Sequence, residues 1–361
     1  MKWINRLLFL AFIMPANTGL YAQDEQQTEM KWRPVQVTFI TPVGTNGLGS
    51  RDIGNDFSLN ILFGMNGGLR GAEFSGLGGM LKGDMKGAQF AGLLNTAGGN
   101  VKGFQAAGLV NVAAGTLNGA QAAGLVNVSG KELKGFQAAG LVNVAADSSK
   151  GCQVAGLANV AVDGKVSQIA GLFNYTKRLN GVQIGLFNVA DTVEHGVPIG
   201  LFSIVGRGGY HAFGISGNET FYGNASFMLG VKKFYNIFTT GIAFRDEKII
   251  WGWGLGFGTQ VRLGGRSDLS IEGLCYQVNV DEWFTHGPNL LGKLNLSFAW
   301  HLAPHLALTV TPSWNVTVSD MLDEYGEHQD NTFAPYSVYD YDFDNGMRLE
   351  MYPGLAIGIR I

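Results

Sequence analysis

The stretch GFQAAGLVNVA at residues 103–113 returns unchanged at residues 135–145, and it is the best copy of a longer series. Units open at Gly71, Gly87, Gly103, Gly119, Gly135, Gly151, Val166, Gly181 and Gly196, spaced by 16 residues up to Gly151 and by 15 after it. One column holds Gln89, Gln105, Gln121, Gln137, Gln153, Gln168 and Gln183; a second holds Asn95, Asn111, Asn127, Asn143, Asn159, Asn174 and Asn188. The end units are irregular, with Glu73 and Gly79 in those columns at the start and Pro198 and Ser203 at the close. A stacked array needs such degenerate units as caps.

Repeated amide columns have a physical reason in parallel, in-register stacking, where each side chain donates to one neighbouring copy and accepts from the other. A unit of 15 to 16 residues is then one coil of a β-solenoid. The alternative makes each unit a strand and a turn of an antiparallel meander, so that the repeats are further barrel strands. In the unit from Gly181 one Ala is missing, and Gln183 and Asn188 are five apart where Gln105 and Asn111 are six apart. On a continuous strand that deletion turns the Asn to the opposite face. A corner at the Ala-Gly step absorbs it, which favours the solenoid.

The flanks alternate differently, with bulky apolar residues on one face only. In KIIWGWGLGFGTQVRLG, Trp251, Trp253, Leu255, Phe257, Val261 and Leu263 alternate with Gly252, Gly254, Gly256, Gly258, Gln260 and Arg262. The run after His305 sets Leu306, Leu308, Val310, Trp314, Val316 and Val318 against Thr309, Thr311, Ser313, Asn315, Thr317 and Ser319, an earlier one sets Leu294, Leu296, Phe298 and Trp300 against Lys293, Asn295, Ser297 and His301, and a final run extends to Ile361. These have the length and apolar-out, polar-in pattern of outer-membrane-type β-barrel strands. With Val35, Val37 and Phe39, then Phe57, Leu59, Ile61, Phe63 and Met65, and weaker runs near His211, Ala225, Ile237 and Leu274, about ten such strands are expected.

At the N-terminus, Lys2 and Arg6 precede an apolar run from Leu7 to Met14, followed by small and polar residues to Ala22, the layout of a secretory signal peptide. No later run of about 18 apolar residues offers a helical membrane span. With 54 Gly, 9 Pro and 15% charged residues in 361, the composition is that of a β protein. A net charge of −3 without a basic cluster argues against a nucleic-acid partner. Cys152 and Cys275 make no disulfide framework, and Cys152, in the column of Phe104, Ala120 and Phe136, reads as a small buried hydrophobe.

The expected fold class is therefore all-β: antiparallel outer-membrane-type barrel strands with a tandem 15–16 residue repeat block. The expected organisation is a signal peptide over 1–22, a segment over 23–70 with the first barrel strands, the repeats over 71–205, and further barrel strands over 206–361. The tandem GxQxxGLxN motif resembles the surface-repeat-containing outer-membrane proteins of Gram-negative bacteria. The resemblance covers Gly71 to about Ser203 and extends to the leading WRPVQVTFITPVGTNG from Trp32. It implies an outer-membrane location and carries little information on activity.

Chemical constellations do not emerge. His301 and His305 flank an Ala-Pro turn and read as ordinary turn histidines. GWGLGFG has nucleotide-loop-like glycines, but they alternate inside a strand with no helix following. Asp340, Asp342 and Asp344 are spaced like the first ligands of a calcium loop, yet Asn345 replaces the required Gly and Met351 the bidentate Glu, so a solvated loop is the reading. No catalytic, cofactor-binding or metal-binding residue is assigned and no cofactor is expected. The expectation is a non-enzymatic outer-membrane or cell-surface protein with a structural or interaction role, and as its alternative an outer-membrane channel or transport barrel. Its partners would be outer-membrane lipids and an unknown extracellular or envelope component.

Overall fold

The computed structural model describes residues 30–361 apart from 246, 282, 284–286 and 321–332. The signal peptide read over 1–22 and residues 321–332 of the acidic stretch lie outside the described residues. Strands dominate what is described; the single helical element is a 3-10 turn at Gly47–Asp52.

From Lys31 to Arg207 the chain winds into a parallel β-solenoid of about ten turns. A representative coil has a strand at Val101–Ala107, a corner at Gly108 and Leu109, and a second strand at Val110–Ala113. Each strand pairs in parallel with its own copy one coil away: Gln121 stands opposite Gln105 and Gln137, and Asn127 opposite Asn111 and Asn143. The corner absorbs the shorter unit. Although one residue is missing between them, Gln183 still faces Gln168 and Asn188 still faces Asn174.

Gly119 shows why the unit-opening glycine recurs. Its φ is +144°, and a Cβ there would come within 1.9 Å of the carbonyl oxygen of Gly103. Only glycine lets the backbones of successive coils meet in this conformation.

The runs at Val35–Phe39 and Phe57–Met65, expected as barrel strands, belong instead to the solenoid. The strands Lys31–Ile40 and Ile53–Asn66 pair in parallel, with Gln36 opposite Ser58, and Ser58 in turn faces Glu73. Neighbours in an up-and-down barrel run antiparallel, so these strands cannot belong to one. The array thus begins before Gly71.

The barrel is smaller than the expected ten strands. Eight strands form an antiparallel ring: Tyr210–Gly217, Gly223–Val231, Phe234–Arg245, Lys248–Gly264, Ser267–Val280, Asn289–Ala303, Leu306–Asp320 and Met347–Arg360. The last strand pairs on one side with Leu306–Asp320 and on the other with Tyr210–Gly217, where Ile359 meets Leu308 and Ile215. A ninth, short strand at Tyr339–Asp342 lies on the edge of the last. Three two-residue turns, at Lys232-Lys233, Gly265-Arg266 and Pro304-His305, mark one rim, which also holds Tyr210 and Ile361. Residues 218–222, 287–288 and 343–346 lie at the other rim.

Candidate interaction surface

Both halves of the molecule share one radial arrangement: polar groups are turned inward and apolar side chains outward. In the solenoid every Gln of the first column and every Asn of the second is fully buried. Gln105 Nε2 donates to Gln89 Oε1 at 2.8 Å, and Gln121, Gln137 and Gln153 each donate likewise to the preceding coil. The Asn ladder runs the other way: Asn111 Nδ2 donates to Asn127 Oδ1 at 2.9 Å and to the carbonyl of Ala122 at 2.7 Å. The carbonyl can only accept, so it fixes the orientation of each Asn amide.

Opposed directions decide what happens at the ends. The last Gln cannot receive a hydrogen bond, because Pro198 holds the next position, and Gln183 Oε1 has no partner. The first Asn follows Gly79 in its column, and Asn95 Oδ1 is likewise unpaired. At the start of the Gln ladder stands Glu73, an acceptor for both Gln89 and Asn66. Burial raises its carboxyl above the ordinary range, against the hydrogen bonds from Gln89, Asn60, Ser58 and Asn66 that favour the charged form.

The outer surface of each coil divides in two. Around the Gly-Leu corner it is apolar: nine leucines from Leu77 to Leu201 form a row, each 36 to 45% exposed. Beside it lies an apolar trough of about 1160 Å³ lined by Phe74, Phe90, Ala106, Ala122, Ala138 and Val154. Cys152, expected to be buried, is half-buried on the outer face between Phe136 and Ser167. At the opposite edge the interior becomes apolar, with Val101, Ala113, Leu117 and Leu133 fully buried, and the exterior becomes charged. Arg70, Lys86, Lys102, Asn118, Lys134, Lys150 and Lys165 occupy one register column on that boundary.

The final coil sits against the outer wall of the barrel. Phe187 stacks on Phe202 at 5.1 Å between centroids, and Phe202 on Phe238 of the barrel at 5.4 Å. Asn236, an outward polar residue of the same barrel strand, donates to the Gly200 carbonyl at 2.6 Å. The corner of the coil therefore lies alongside the wall, while its other edge, at Arg207, leads into Tyr210 at the rim of two-residue turns.

Within the barrel the lumen is filled. Lys293 Nζ lies 2.8 Å from Glu219 Oε1, and Glu219 also accepts from Asn315 Nδ2 and the Leu355 backbone N–H. Arg360 and Tyr235 both donate to Glu272 Oε1. The inward glycines of GWGLGFG make room for rings: a Cβ at Gly254 would meet Tyr276, and one at Gly258 would meet Tyr235. The cavity left among these groups measures about 60 Å³. Outward, Trp253, Leu255, Phe257 and Leu308 are exposed.

The sequence candidates for chemistry do not converge. His301 Nε2 lies 2.9 Å from Asp268 Oδ2 at the turn rim. Asp340 and Asp342 lie on an extended strand opposite Glu350 and Arg348, with Arg348 on Asp342 at 2.7 Å. Among the described residues no three metal-ligating side chains cluster. The Glu219–Lys293 and Glu272–Arg360 pairs were missed by sequence reading; their signal was a charged residue on the polar face of an alternating strand. The chain matches no family model, no curated protein and no solved structure.

Proposed function

We propose that the chain is a non-enzymatic outer-membrane protein with a structural or interaction role, anchored by its eight-stranded barrel and displaying the solenoid from the rim of short turns. The observation that carries this reading is the radial inversion of the barrel. Ion pairs and amides fill its interior while Trp253, Leu255 and Phe257 face outward uncovered. In water an exposed apolar belt of this kind is costly, whereas in a bilayer it is the favourable surface. The export signal read over 1–22 and the GxQxxGLxN resemblance support the same location. Bacterial barrels keep short turns on the periplasmic side, which would put the solenoid there and not at the cell surface.

The channel reading has less support, because an eight-stranded barrel holds little lumen and this one is occupied by Tyr235, Tyr276, Lys293 and Glu219. The test is membrane fractionation with gel migration before and after boiling, followed by planar-bilayer recording. Outer-membrane recovery, heat-shifted migration and no steady conductance are expected. A soluble periplasmic species overturns the location; a steady pore restores the channel reading.

A further inference from the structure

We infer that the solenoid lies edgewise in one leaflet of the membrane, its leucine corner among the acyl chains and its cationic column at the level of anionic lipid headgroups. The inference rests on the barrel being membrane-embedded.

The first support is continuity. The stack Phe187–Phe202–Phe238 joins the apolar solenoid face to the outward face of the barrel, and the one polar group beside it, Asn236, is hydrogen-bonded to the Gly200 carbonyl. Gly200 and Phe202 meet the outer wall at Asn236 and Phe238, three and five residues along the strand from the Lys232-Lys233 turn, whereas Arg207 leads to the rim. The coil is thus oriented with its apolar half at lipid depth and its charged edge outside. Since each coil pairs with the next, the array extends away from the wall along the membrane plane.

Dimension is the second support. From Lys102 to Leu109 the chain runs seven residues, roughly 23 Å at the rise of a strand. One leaflet with its headgroups measures about 20 to 22 Å. A leucine tip near the bilayer centre therefore puts the lysines among headgroup phosphates.

Charge is the third. Six cations occupy seven successive positions of the column Arg70, Lys86, Lys102, Asn118, Lys134, Lys150, Lys165. Strand neighbours are about 4.8 Å apart, and like charges at that spacing repel. Within the chain Glu132 meets Lys134 at 2.7 Å and Lys150 at 3.7 Å, and Arg70 rests on the Trp32 ring. A row of lipid phosphates matches both the sign and the linear form of the column.

The test uses the full chain in vesicles of phosphatidylethanolamine and phosphatidylglycerol, with Cys152→Ser and Cys275→Ser as background. Single cysteines at Leu125, Asp147 and Phe257 carry a fluorophore, read against quenchers on lipid tails and against aqueous iodide. The Leu125 and Phe257 probes should be quenched from the lipid and sheltered from iodide, and the Asp147 probe the reverse. Lys102→Glu, Lys134→Glu and Lys150→Glu together should lower lipid quenching at Leu125 at least about twofold and leave Phe257 unchanged. A Leu125 probe open to iodide while Phe257 stays in lipid overturns the inference and spares the barrel reading. A Leu125 probe sheltered from both quenchers means protein covers that face, which also overturns it. If Phe257 is open to iodide, the barrel reading falls and takes the inference with it.

Discussion

Glu73 Oε1 accepts a hydrogen bond from Gln89 Nε2 at 2.8 Å, placing a carboxyl at the position that later coils fill with glutamine. The Gln ladder donates toward the N-terminus, so its first member must accept, and a carboxylate is the strongest acceptor available. It does so fully buried.

That position makes the first coils sensitive to pH. Burial raises the folded pKa of Glu73 above its ordinary value of 4.5. The folded state therefore holds the proton more tightly than the unfolded chain, and this contribution is complete below the unfolded value and lost as pH rises through the folded one. Hydrogen-exchange protection of residues 69–81, corrected for intrinsic rates, should fall as pH rises above about 4.5, the ordinary glutamate value. In Glu73→Gln the fall should vanish. Equal pH dependence in both proteins would remove Glu73 as its source.

Gly119→Ala should be far more damaging than Ala120→Phe. The alanine Cβ would overlap the Gly103 carbonyl at a φ of +144°, so two coils must part. Backbone strain alone costs roughly 1 to 3 kcal/mol. Ala120 lies between Phe104 and Phe136 on the outer face, where a third ring has room to stack. Denaturant midpoints followed by circular dichroism decide; similar midpoints for the two variants would contradict the close approach.

Removing residues 119–134 joins Asn118 to Gly135 and takes out one whole coil. Because every coil enters and leaves in the same direction, Gln137 would then face Gln105, and the barrel beyond Tyr210 is untouched. Heat-modifiable migration should be kept. Its loss in this deletion, with survival in one of residues 119–150, would mean that strand direction matters and the parallel pairing is wrong.

The repeat block was legible because stacking demands chemical identity between coils, and Gln105, Gln121 and Gln137 display it. The Ala missing between Gln183 and Gly185 even locates the corner. Val35–Phe39 and Phe57–Met65 carry the barrel pattern yet belong to the solenoid, for an equally physical reason. Solenoid and barrel here both turn polar residues in and apolar ones out, so period-two alternation is identical in the two settings. Only the partner distinguishes them, and the pairing of Gln36 with Ser58 is not written in either run alone. The lumen was also invisible, since Glu219 and Lys293 are 74 residues apart and meet only on closure.

That meeting supplies the last prediction. Lys293 is the cation facing Glu219 across the lumen, at side-chain exposures of 4% and 11%. Glu219 also holds Asn315 and the backbone of Leu355, so it ties a loop to three strands of the ring. Lys293→Met strands a buried carboxylate, which typically costs 3 to 5 kcal/mol, roughly. That is at least as large as Leu255→Arg on the outer face, about 2 to 4 kcal/mol if the site lies near the midplane. The pair Lys293→Met with Glu219→Gln removes both charges, leaves an amide able to hold Asn315, and should recover most of the loss. The temperature at which the folded band disappears on unboiled gels ranks the variants: wild type and double variant high, Lys293→Met low. If the single and double variants lose the same amount, the ion pair does not couple the loop to the ring, and the filled lumen is held by its aromatic residues Tyr235, Tyr276 and Phe221 instead.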